Sequence, residues 1–183
     1  MRITALLTVA MAAAVLTACN PQPPHAPSKA TAGPTPTPTE SSVPLHITGK
    51  GTKQRPIRIV QARGNLRQYE LLARTYESNG AQGTARATFS NVHVTFYGQG
   101  GSKLVADAPR ALVDESANTV TLLDRVHARN SNGVKLECDQ LVYSRDTGLL
   151  HGTGNVIITN PQGMRATGNQ FDSDITLTQT RMQ

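Results

Sequence analysis

A unit of about thirty residues recurs through the second half of the chain, and it leaves few architectures open. The stretches "GGSKLVAD" (100–107), "NGVKLECD" (132–139) and "QGMRATGN" (162–169) each run from a glycine through a basic residue to a small residue followed by Asp or Asn. Ala106, Cys138 and Gly168 are the equivalent small positions, 32 and 30 residues apart. "QYELLART", with Ala73 placed 33 residues before Ala106, reads as a degenerate earlier copy. The second half of the unit repeats as well, in "NVHVTF" from Asn91, "RVHARN" from Arg125 and "NVIITN" from Asn155. Val92, Val126 and Val156 coincide there, 34 and 30 residues apart.

Inside each unit the apolar residues alternate with period two, the signature of a strand with one face buried. Val134, Leu136 and Cys138 share one face, and Lys135, Glu137 and Asp139 the other. The return strand places Leu150, Gly152, Gly154, Val156 and Ile158 inward, against His151, Thr153 and Asn155. Val120, Leu122, Val126 and Ala128 take the same inward parity one unit earlier. Turn signals punctuate the runs: "GQGG", "DESAN", "NSNG", "RDTG" and "NPQG". Around Gln140 to Tyr143 both parities become apolar, which predicts a bulge or corner where the strand bends. No segment carries helical periodicity. The expected fold is all-β: long antiparallel hairpins rolled into an open, twisted jelly-roll with an apolar interior. The inward residues Ala106, Ala128, Cys138, Gly152, Gly154 and Gly168 are small, and small residues facing inward leave room that methyl-lined walls would offer to acyl chains.

The beginning of the chain reads differently. Arg2 precedes an apolar, alanine-rich run from Ile3 to Val15, a secretory signal too short to span a bilayer. Leu16-Thr17-Ala18-Cys19 resembles the lipobox of bacterial lipoproteins, in which the cysteine is lipidated and becomes the mature N-terminus. Each buried methylene of such an anchor contributes about 0.8 kcal/mol, so several acyl chains hold firmly. Asn20 stands after it instead of the aspartate that in such lipoproteins often marks inner-membrane retention. Eight of the eleven prolines fall between Asn20 and Pro44, a polar tract that favours extended polyproline II and cannot bury a core. Fully extended, that tract reaches about 75 Å. Residues 1–18 are thus read as signal peptide, 19–44 as lipidated cysteine and disordered linker, and 45–183 as one β domain. The expected location is the periplasmic face of a bacterial membrane, inner or outer, with membrane attachment through Cys19.

With Cys19 committed to lipid, Cys138 has no disulfide partner. Without Arg2 the chain carries 17 basic and 12 acidic residues. Lys50, Lys53, Arg55, Arg58, Arg63, Arg67 and Arg74 face only Glu70 between residues 45 and 74. Such a basic stretch fits an anionic partner such as phosphorylated lipid, or a solvated face; export argues against nucleic acid.

Catalytic and metal patterns are weak. His93 and His127 occupy equivalent repeat positions one step off the inward valines, so both are expected to face solvent. No His-x-x-x-His or paired-cysteine spacing accompanies them. Asp107, Asp139 and Asn169 form a repeat-aligned outward row, which a parallel β-helix lyase would use for acid–base chemistry. Three or four copies of the unit are too few for a stable solenoid cleft, which makes that polysaccharide-active enzyme the weaker alternative beside a purely structural envelope lipoprotein. The expectation is a protein that is not an enzyme and needs no cofactor.

The linked order of Leu104, Ala106, Asp107, Gly133, Leu136, Asp139, Tyr143, Gly148, Leu150, Gly152, Gly154, Val156, Gly168 and Phe171 resembles the periplasmic LptC/LptA (OstA-like) family of lipopolysaccharide export, over roughly residues 65 to 180. The resemblance implies an open jelly-roll whose apolar groove holds lipid acyl chains. It also implies edge-strand stacking onto an LptA-like bridge protein, with an inner-membrane ABC transporter as the source of energy. The groove residues would be Val92, Val94, Leu104, Ala106, Val120, Leu122, Val126, Leu136, Cys138, Leu150, Val156 and Ile158. The cargo would be lipopolysaccharide or another glycolipid, passed on towards the outer membrane. LptC proteins are usually anchored by a transmembrane helix, where this chain carries a lipobox and a long Pro/Thr spacer.

Overall fold

The computed structural model describes residues 45–80 and 85–183. The signal peptide, Cys19 and the proline-rich linker lie outside the described residues. Eleven strands follow one another: β1 (Leu45–Lys50), β2 (Ile57–Arg63), β3 (Leu66–Ala73), β4 (Thr75–Gly80), β5 (Arg86–Tyr97), β6 (Lys103–Asp114), β7 (Thr119–Asn130), β8 (Lys135–Ser144), β9 (Leu150–Thr159), β10 (Arg165–Ser173) and β11 (Arg181–Met182). Every pairing is antiparallel, and from β5 to β10 each strand pairs with the next in a meander. The single connected sheet rules out the parallel solenoid considered from the sequence.

The long strands are broken in the middle, and the breaks line up. Register shifts fall between Asp107 and Arg110, between Leu123 and Val126, between Glu137 and Gln140, and between Gly168 and Gln170. At these positions one strand holds an extra residue, and the buried parity changes in β6 and β8 while β7 and β9 keep theirs. In β8 the buried side chains are Leu136 and Cys138 before the break, and Leu141 and Tyr143 after it. The corner expected from Gln140 onward therefore begins at Asp139. Asn91, Arg125 and Asn155, the residues that open the second half of each repeat, all have left-handed φ, at 48°, 69° and 47°. Asn tolerates that region better than most residues, because its short side chain bonds locally. The repeat thus encodes the corner, and the bulges sharpen the bend of the sheet.

The corner divides the sheet into two facing halves. β5 shows how the edge is split. Its first part pairs with β4, which carries β1, and its second part pairs with β3, which carries β2. The first half comprises β1, β4 and the strand portions on their side of the corner; the second comprises β2, β3 and the remaining portions. Aromatic side chains bridge them, with the rings of Phe96 and Tyr143 centred 4.6 Å apart.

Two expectations about inward glycines need correction. Gly152 does face the interior, but its missing side chain does not leave empty space. A Cβ there would lie 1.9 Å from Cε1 of Phe171, the residue paired with it across β9 and β10. The room is filled by an aromatic ring. Gly154 is not inward: with φ at +75° it sits in the corner, and a Cβ would strike the exposed Asp139 carboxylate. The bulge interrupts the alternation at Gly154 and Asn155, both of left-handed φ, and for this reason the strand pattern misplaces Gly154 even though Gly152 and Val156 on either side keep their facing.

Candidate functional site

Strand alternation and the corner together deliver the expected groove residues to one place. Val92, Val94, Leu104, Ala106, Val120, Leu122, Val126, Leu136, Cys138, Leu150 and Val156 are all buried, and Ile158 packs partly buried against them. They come from β5 to β9 and from both halves of the sheet. Most of these side chains expose no surface at all, so the interior is a closed, packed layer between the halves.

The largest members of that interior are Tyr69, Phe89, Phe96 and Phe171, all fully buried. The groove set drawn from small and aliphatic positions omitted them. Their signal was present: Phe89 and Phe96 occupy the buried parity of β5, which switches at Asn91.

Opposite the corner, the ends of the two halves meet along a seam. Gln68 of β3 donates through Nε2 to the backbone carbonyl of Arg145 at 2.8 Å. Arg63 and Asp146 form an exposed ion pair at 3.0 Å across the same line. At the β10 side, the segment after Ser173 lies over the seam. Its Ile175 and Leu177 are buried, and Asn130 donates to the Thr176 carbonyl. At the β1–β2 side the seam is open, and a cavity of about 440 Å³ enters between the halves.

The charges around the seam are largely compensated. Glu70 accepts from Arg58 at 2.6 Å and from Arg67 at 3.1 Å, and the bond from Arg58 holds its carboxyl below the usual range. Of the basic residues between 45 and 74, Arg58, Arg67 and Arg63 are thus ion-paired. Burial pushes the Tyr69 phenol pKa up, while the nearby Arg145 charge pulls it down. Burial raises the Cys138 thiol to about 12, with Asp139 adding to the effect, so Cys138 is a small hydrophobe and a poor nucleophile.

On the outer side of the corner an open cavity of about 1200 Å³ is lined by His93, Asp107, Asp124, His127 and Asp139. His93 and His127 are exposed, as expected, and His93 pairs with Asp107 at 2.7 Å. His151 pairs likewise with Asp172 at 2.7 Å. Asp107, Asp139 and Asn169 lie on β6, β8 and β10, so one whole strand separates each from the next. Among the described residues, no group of three His, Cys, Asp or Glu side chains is placed to hold a metal ion. No described helix is long and apolar enough to cross a membrane.

Fold and interior together define a class: an antiparallel β-jelly-roll that folds an apolar interior between two sheet halves, which meet at a corner of bulges and along one seam. A family model described as "Lipopolysaccharide-assembly, LptC-related" matches residues 57–181, and the chain belongs to that family. The family serves lipopolysaccharide transport in the cell envelope; its members bind and pass on the lipid, together with LptA-like bridge proteins and an inner-membrane transporter, and it is not a family of enzymes. Comparison with curated proteins found no match.

Proposed function

We propose that this protein is a lipid-anchored LptC-like carrier. It is held to a bacterial membrane through Cys19 and takes the acyl chains of lipopolysaccharide, or of a related glycolipid, between its two sheet halves. The observation that supports this most is the layout of the interior. Its apolar side chains lie between halves whose strand ladders join them at a corner of bulges, while the opposite seam is crossed by side-chain contacts and by the segment after Ser173, with no strand pairing between the halves among the described residues. Parting the seam exposes a continuous apolar surface without breaking a strand ladder. Hydrophobic burial, about 25 cal/mol per Å² of apolar surface, then favours either closure of the halves or their occupation by acyl chains. Such a carrier needs no catalytic residue.

Handover follows from the edges. Among the described residues, β1 and β2 each have a strand neighbour on one side only, and Arg165–Gly168 of β10 lie beyond the reach of β11. Unpaired strand edges accept another strand, so a bridge of like domains towards the outer membrane can form by β-augmentation. The linker from Asn20 to Pro44 would let the domain stand clear of its membrane.

The test is extraction of the native protein from envelope membranes, followed by analysis of bound lipid. Lipopolysaccharide should copurify, and depletion of the protein should make the envelope permeable. Clean protein without lipid, and an intact barrier on depletion, would instead identify a structural lipoprotein. Incorporation of radiolabelled palmitate, abolished in Cys19→Ala, checks the anchor separately.

A further inference from the structure

The open end of the seam has a chemistry of its own. Its cavity of about 440 Å³ is apolar along most of its wall, with Ile47, Tyr76, Phe89 and Val113 from one half and Ile59 and Tyr69 from the other. That volume lies in the range of small-ligand sites, about 300 to 1,000 Å³. A single cationic side chain, Arg145, stands among these walls.

Arg145 is fixed in place from several directions. Its backbone N–H donates to the Asn118 carbonyl at 2.9 Å, and its carbonyl accepts from Gln68. Its Nη2 donates to Asn118 Oδ1 at 2.7 Å and to the carbonyls of Asp114 and Glu115 at 3.4 and 3.2 Å. Nε, by contrast, is buried and has no partner. Buried polar groups in folded proteins are nearly always bonded, so an orphaned guanidinium N–H needs an explanation. The Arg145 charge assists ionisation of Tyr69, and both Tyr69 and the exposed Glu115 line the same cavity. A guanidinium held through its outer nitrogen at the wall of an apolar cleft places one positive charge where an oxyanion can approach.

We propose that this cavity is an entry subsite in which Arg145 holds a phosphate group of the lipid cargo while one acyl chain occupies the apolar walls. The subsite rests on the carrier function above and adds its headgroup contact. It gives the polar end of the lipid a place at the seam, so that the chain enters the interior with its orientation set. The amphipathic ligand matches the wall: one charge at one end, and methyl and aromatic groups beyond it.

The experiment uses envelope membranes that contain the full chain and two photoactivatable probes. One is a dodecyl phosphate with a diazirine at the far end of its chain; the other is the corresponding dodecanol. Adducts are mapped by mass spectrometry. The phosphate probe should label residues of the cavity, Ile59 and Phe89 among them, at least tenfold more than the alcohol does. Arg145→Met should remove that preference and leave alcohol labelling in place, and Arg145→Lys should retain part of it. The comparison of probes in the unaltered protein stands even where a variant fails to fold. Equal labelling by both probes, or phosphate adducts away from the cavity, would overturn the subsite while leaving the carrier function intact. Protection by millimolar inorganic phosphate would show a site for the free anion and would also overturn it. Labelling of no interior residue by either probe would instead count against the carrier function itself.

Discussion

Gly152→Ala is the smallest substitution with a large expected effect. The added methyl would lie 1.9, 2.5 and 2.8 Å from Cε1, Cδ1 and Cζ of Phe171. No real contact is that short, so the ring must move, and it is fully buried with Met182 paired on its other side. Overpacking of this kind costs about 1–3 kcal/mol. Complete expulsion of the ring would forfeit its burial, also about 2–3 kcal/mol. Both routes give about 2 kcal/mol, which for a domain of about 140 residues lowers Tm by roughly 7 °C. The chain has no tryptophan, so unfolding in urea is best followed by far-ultraviolet circular dichroism. Phe171→Leu alone should also destabilise, but combined with Gly152→Ala it removes the ring that the new methyl strikes. The double variant should therefore be more stable than the two single costs added together, by about 1 kcal/mol or more. A neutral Gly152→Ala, or strictly additive costs, would refute the placement of Phe171 against Gly152.

Other substitutions probe the thiol, the corner and the β6–β7 turn. Cys138→Ala should cost about 1 kcal/mol in urea unfolding, and the native thiol should resist alkylation at pH 8 until the protein unfolds. Its folded pKa of about 12 lies above the unfolded value near 9, so the unfolded state loses the proton first. Stability should accordingly fall as pH rises from about 9 to 12, more steeply in the parent than in Cys138→Ala. Asn155→Val puts a β-branched residue at a φ of 47° and should cost about 2 kcal/mol, while Asn155→Gly should be nearly neutral in the same assay. Asp114 accepts from Ser116 at 2.6 Å, from the Ala117 N–H and from Arg86, and these bonds hold its carboxyl down at about 2. That stabilisation is present above pH 4 and should be lost as pH falls through about 2, so Asp114→Asn should flatten the acid limb of a stability–pH curve.

The strands were legible because their alternation is strict and glycine-rich turns separate them. The repeat was legible too, but its meaning was not. Asn91, Arg125 and Asn155 look like ordinary outward residues until their left-handed φ shows them to be the corner. Parity reading carried Leu136, Cys138 and Val156 correctly into the interior, and it failed at Gly154, where the bulge interrupts the alternation. The inference of spare room from small residues failed at Gly152 because strand pairing across β9 and β10 brings Phe171 over it. No local pattern reveals which distant strand supplies the complementary ring. Arg145 was hidden for the same reason. In "RDTG" it reads as a turn residue, and its partners Gln68, Asp114, Glu115 and Asn118 all lie far from it in sequence.

The carrier function makes its sharpest demand on side chains that are closed from solvent in this structure. Photo-crosslinking amino acids at Leu136 and Val156, both buried, can be compared in living cells with the same groups at the exposed Lys135 and Glu137. The expected result is lipopolysaccharide captured from the inward positions and little or none from the outward ones. Capture of no lipid from any inward position, in protein shown to be folded, would contradict a lipid-carrying interior.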